Sequence, residues 1–145
     1  MKIQAFLTES PLVAVVWTAR RLEAQLKDRS LNLSTGLVLV SILFEEPRPV
    51  TPSQLAAVLS MKRANMSHLI ASLEADGLVA RRIDPEDARA HHLVLRPQGK
   101  KVAMQVVRVL HQMQTLFEKR VGPAQIRKLI ELLREIEQAT AIQST

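Results

Sequence analysis

The sequence predicts a mainly α fold with a small β component, in which helices flank a central pair of short helices and one hairpin. Three observations carry that prediction. Thr51-Pro52-Ser53-Gln54 combines a capping threonine, a proline at the first helical position and a glutamine three residues beyond the cap, so independent helix-start signals coincide. Gly77 stops a second helical pattern running from about residue 62 to 76. Beyond it, residues 78–83 and 91–96 have strand character on either side of turn-forming Asp84-Pro85-Glu86-Asp87.

The outer elements follow from apolar spacing. Leu12, Val13, Val16, Ala19, Leu22 and Leu26 recur at helical intervals, with Arg20, Arg21, Glu23, Lys27 and Asp28 mainly on the other side, so a first amphipathic helix is expected from Ser10 to about Leu31. Asn32 or Ser34 can cap a second helix carrying Leu37, Val38, Val40, Ile42, Leu43 and Phe44, and the proline-rich run EEPRPVTP ends it. From about Pro97 to Ala141 two further helical patterns are read. Val102, Val106, Val109, Leu110, Met113 and Phe117 mark one; Ile126, Leu129, Ile130, Leu133 and Ile136 mark the other, and Gly122-Pro123 separates them.

In the central zone, Leu55, Ala56, Val58 and Leu59 give the first short helix an apolar side, and Ser60-Met61 make the turn. That is the spacing of a helix-turn-helix. On the second helix Met66, Leu69, Ile70 and Leu73 share one side, while Ala64, His68 and Ala71 lie opposite, flanked by Asn65 and Ser67. The outward stripe is small and polar. It suits entry into a major groove about 12 Å wide, where alanines allow close approach and Asn and His reach base edges. The hairpin then reads as a wing, making the fold a winged helix-turn-helix. Its loop is acidic, so the useful group there is Arg89, with Asp87 near enough to orient the guanidinium; an arginine at a wing tip can enter a narrow minor groove.

Composition narrows the functional classes. The chain of 145 residues, 47% hydrophobic, can bury one ordinary core. Its 20 Lys and Arg against 14 Asp and Glu give a formal net charge of +6, which favours polyanionic partners. The absence of cysteine excludes disulfides, thiolate metal sites and thiol redox sensing, and agrees with a reducing compartment. No apolar run approaches the ~20 residues of a membrane span, and the opening segment has no convincing cleavage site. A cytoplasmic protein without a membrane partner is expected.

Rival chemistries find few residues to support them. There is no G-x-S-x-G, no phosphate-cradling glycine loop, and only four glycines in all, so no enzyme is expected. Phe6, Trp17, Phe44 and Phe117 are the only aromatics, too few for the stacking platforms of a single-strand or RNA binder. His91 and His92 are successive strand residues that point to opposite faces and make poor joint metal ligands; no metal or cofactor is expected. His111 reads as a surface or interface residue, the methionines as packing, and Trp17 as an interface or core anchor.

The order LAAVLSMKRANMSHLIASLEADGLVARR, then DPEDAR, then LRPQG, resembles the MarR family of bacterial transcription regulators, with flanking helices that fit from about Ser10 to Ala141. On that resemblance, Arg63 through His68 correspond to the start of the recognition helix, Asp87 and Arg89 to the family's wing aspartate and arginine, and Leu95 and Gly99 to positions entering the next helix. Lys62 stands where a serine cap is common, Arg96 where a threonine cap is usual, and His68 where arginine is frequent. The resemblance implies a homodimeric repressor, with residues 1–33 and 97–145 as the dimerisation region and 34–96 as the DNA-binding lobe. It also implies double-stranded DNA with a pseudopalindromic operator as partner, contacted through Lys62, Arg63, Ala64, Asn65, Ser67, His68, Asp87 and Arg89, and release by a small aromatic effector. The alternative reading is a non-specific architectural DNA-binding protein or a winged-helix module for protein contacts.

Overall fold

The computed structural model describes residues 2–28, 32–83 and 91–140. Its elements run α1 (Lys2–Glu9), α2 (Pro11–Asp28), α3 (Leu33–Glu45), α4 (Pro52–Val58), α5 (Arg63–Ala75), β1 (Val79–Ile83), β2 (His91–Leu95), α6 (Pro97–Val121) and α7 (Pro123–Thr140). The chain forms two compact units, residues 1–106 and 107–145.

The sequence places its first helix from Ser10, and the structure adds α1 ahead of it. Pro11 is the reason for the division: its fixed φ suits the first helical position of α2, but its missing N–H cannot continue α1. Asn32, rather than Ser34, caps α3, its Oδ1 accepting from the Thr35 backbone N–H at 3.1 Å. At α4 the expected capping box is complete. Thr51 Oγ1 accepts from the Gln54 backbone N–H at 3.2 Å while Gln54 Oε1 accepts from the Thr51 backbone N–H at 2.8 Å.

The core of the first unit draws on seven elements, among them α2 through Leu26. Val38, Leu39 and Ile42 of α3, Leu55 of α4, Met66, Ile70 and Leu73 of α5, Val79 of β1, Leu93 of β2 and Ala103 of α6 are all buried. Val58 corrects the expected pattern, being 76% exposed. A helix of seven residues buries only the narrow face of Leu55 and Ala56, and Val58 falls to its side, where it lines a cleft of about 480 Å³ with Phe44.

Strands β1 and β2 pair antiparallel, from Val79 opposite Leu95 to Ile83 opposite His91. Leu78 and Arg96, expected as strand residues, lie just outside the ladder, and the Arg96 N–H donates to the Leu78 carbonyl at 2.9 Å. Val50 adds a single bridge to Leu93, tying the segment before α4 to the hairpin. Gly99 permits the start of α6 to lie against β1's entry, because any Cβ there would collide with the Leu78 carbonyl oxygen.

The second unit comprises the rest of α6 and α7. Gly122 separates them with φ +89°, a left-handed conformation that suits glycine. Among its described residues none is buried.

Candidate nucleic-acid interface

The orientation of α5 is set by what it buries. Met66, Ile70 and Leu73 recur at helical spacing and are each at most 1% exposed, so they lock one side of the helix onto the lobe. Ala64, Asn65, Ser67, His68 and Ala71 are left exposed. The turn before the helix is tight. Ser60 adopts φ +51°, and the Met61 N–H donates to the Ala56 carbonyl at 2.8 Å, so α4 holds the beginning of α5 directly.

Lys62 occupies the N-cap in an extended conformation and makes no side-chain cap hydrogen bond. The ammonium has no acceptor to offer the helix N–H groups, so Lys62 does not replace the serine cap common at this position. Lys62 and Arg63 place two exposed cations at this end of α5. At the other end, Arg81 Nε of β1 pairs with Glu74 Oε2 at 3.0 Å, joining the hairpin to the helix. Arg82 lies in register with His92 and is exposed. Asp87 and Arg89, together with the expected turn at 84–87, lie outside the described residues.

A feature that sequence reasoning missed lies beside α5. A cleft of about 910 Å³ is lined by Arg20, Glu23 and Lys27 of α2, by Asn32 and Ser34 at the opening of α3, and by Asn65, His68 and Ser72 of α5. The spacing of Arg20, Glu23 and Lys27 puts them on one helical face, and that much was legible. Only tertiary packing brings that face opposite the recognition helix. Asn65 and His68 therefore border both the outward surface of α5 and the cleft.

This arrangement offers hydrogen-bond donors and acceptors on a helix that can approach a surface closely, with cations at its flanks. Among the described residues no three His, Asp or Glu side chains group as metal ligands, and no helix is long and apolar enough to cross a membrane. The fold and the exposed helix define a winged helix-turn-helix protein.

Comparison with known proteins gives the similarities of the chain. The model of the MarR family matches residues 30–90, which span α3, the helix-turn-helix and β1. The transcriptional repressor MprA of Escherichia coli K12 is 28% identical over 120 residues, covering 78% of this chain and 68% of that protein. Among solved structures, the PcaV transcriptional regulator of Streptomyces coelicolor, in complex with its natural ligand, superposes with a TM-score of 0.78 at 16% identity, over 92% of this chain and 95% of its own. The Staphylococcus aureus MepR–DNA complex gives a TM-score of 0.75 at 16% identity, over 92% and 96%. Residues 30–90 are thus similar to the MarR family, and the chain shares the fold of the solved regulators.

Proposed function

We propose that the protein is a sequence-specific repressor that works in the cytoplasm as a homodimer on a pseudopalindromic operator and is released by a small molecule. The observation that carries this reading is the exposed face of α5, held in place by a buried opposite face. Lys62, Arg63, Ala64, Asn65, Ser67 and His68 are its proposed DNA contacts, with Asp87 orienting Arg89 toward the minor groove. Residues 34–96 form the DNA-binding lobe, and residues 1–33 and 97–145 the dimerisation region.

Dimerisation is supported by apolar surface that each unit leaves uncovered. Ile3, Phe6, Leu12, Val16, Trp17 and Leu22 are exposed in the first unit; Leu116, Phe117, Leu129, Ile130, Leu132 and Leu133 are exposed in the second. A second copy of the chain is the proposed cover. Repression is supported by the similarity to MprA, a transcriptional repressor. Release is supported by the cleft beside α5, whose occupant would touch the helix that meets DNA. A small aromatic molecule is its proposed ligand.

The test is competition. Duplex selected by the purified protein from a random pool should bind ~10³-fold tighter than random duplex at the same salt. A preference under tenfold would point to a non-specific architectural protein instead.

A further inference from the structure

We infer that the cleft between α3 and α4 is a second ligand site, and that it takes a small zwitterion: an ammonium and a carboxylate carried on an apolar body, as in an apolar α-amino acid or dipeptide. The cleft, of about 480 Å³, shares none of its lining residues with the cleft beside α5. Its volume is that of a small-molecule pocket.

The floor is apolar. Val50 and Leu55 are buried there, and Phe44 and Val58 stand largely exposed beside them, so a ring or branched side chain placed in the cleft covers apolar surface that the chain leaves to water. The rim carries opposite charges. Where α3 ends, Glu46 is drawn away to Lys100 of α6 at 2.6 Å, whereas Glu45 and Arg48 both line the cleft. The Arg48 backbone N–H donates to the Glu45 carbonyl at 2.7 Å, which keeps the two residues in one tight turn. Among the described residues, neither side chain has an ion-pair or hydrogen-bond partner.

Gln54 adds a donor of fixed direction. The Thr51 backbone N–H can only donate, so the amide atom it meets at 2.8 Å is Oε1, and Thr51 Oγ1 lies 3.0 Å from the same oxygen. Holding Oε1 turns the NH2 of the planar amide away from Thr51, and among the described residues no group accepts from it. This NH2 and the Arg48 guanidinium match a carboxylate; the Glu45 carboxylate matches an ammonium. A ligand with one charge leaves the other side of the rim unmatched, so the rim favours a ligand with both. The occupant also meets the reading lobe at two points. Gln54 belongs to the cap that starts α4, and the Val50 carbonyl accepts from the Leu93 N–H of the hairpin at 2.8 Å.

Calorimetric titration of the purified protein with L-phenylalanine and with phenylalanyl-leucine tests the assignment, each probe being compared with its N-acetyl form and its C-terminal amide. At least one free zwitterion should bind, and the tighter of the two tells amino acid from dipeptide. Each blocked form should bind about fivefold more weakly, the size of one exposed charge contact. Glu45→Gln should erase the preference for the free ammonium and Arg48→Gln the preference for the free carboxylate, a pairing that a general loss of structure would not produce. Phe44→Ala should weaken every form alike. Because Phe44, Glu45 and Arg48 are exposed, the unfolding temperature without probe should match wild type in all three variants. Arg20→Gln, in the cleft beside α5, should leave binding unchanged. No binding of either zwitterion at millimolar concentration, equal binding of free and blocked forms, or binding lost with Arg20→Gln but kept with Arg48→Gln would overturn the inference.

Discussion

In the winged lobe Val38, Leu39, Leu55, Met66, Ile70 and Leu93 are at most 2% exposed, whereas Ile3, Phe6, Leu12 and Val16 of α1 and α2 are each more than half exposed. The second unit repeats the contrast, since Leu129, Ile130, Leu132 and Leu133 of α7 all remain in contact with solvent. All these side chains are apolar, so composition does not separate them. Closure does. The lobe draws its core from α3 to α6, elements that surround one another, while the outer helices present apolar faces that one copy leaves open. Stability of the lobe should therefore be a property of the single chain, and stability of the outer helices a property of assembly.

The largest effect expected from that difference is in the lobe. Ile70→Ala removes a fully buried side chain from behind the recognition helix and should cost about 2–5 kcal/mol in denaturant unfolding. The loss should persist in dilute protein, and a loss below about 1 kcal/mol would mean that the site collapses freely. On the outer helices, Leu133→Asp should act through assembly instead. Burying one leucine is worth about 1.5–3 kcal/mol, so light scattering should show dimer dissociation at least tenfold easier, with lobe unfolding nearly unchanged. An unaltered dimer would remove α7 from the proposed interface. Smallest of the three, Thr51→Ala should cost about 1 kcal/mol, because it deletes the acceptor that caps α4. Thermal unfolding would register it as a modest drop, and no drop would show that the Gln54 half of the box suffices.

The same contrast explains what could be read in advance. Thr51-Pro52-Ser53-Gln54, Gly77 and Gly122-Pro123 act within a few residues, and each marks the element boundary its chemistry predicts. Gly77 has φ +69° where α5 gives way to the hairpin. The buried side of α5 was also legible, since three apolar residues at helical spacing need no tertiary information. Helix α1 escaped notice because eight residues carry little periodic signal. Val58 misled because an apolar residue three positions after Leu55 looks inward until the helix proves too short to bury a broad face. The cleft was invisible for a different reason: Arg20 and Lys27 are far in sequence from Asn65 and His68, and nothing local tells α2 to face α5. At the candidate interface, the exposed set Ala64, Asn65, Ser67 and His68 was legible from the helical wheel, whereas the position of Asn65 and His68 beside the cleft required the packed structure.

The central claim is that two copies present two α5 helices at once, and spacing in the DNA tests it directly. Recognition helices related by a two-fold axis read half-sites about 10 base pairs apart, centre to centre. Inserting about five base pairs between the half-sites of the selected duplex turns one of them to the opposite side of the helix. Affinity should then fall toward that for random duplex, a loss of ~10³-fold at constant salt. Equal affinity for the two duplexes would contradict the account, because it would mean that each recognition helix binds alone.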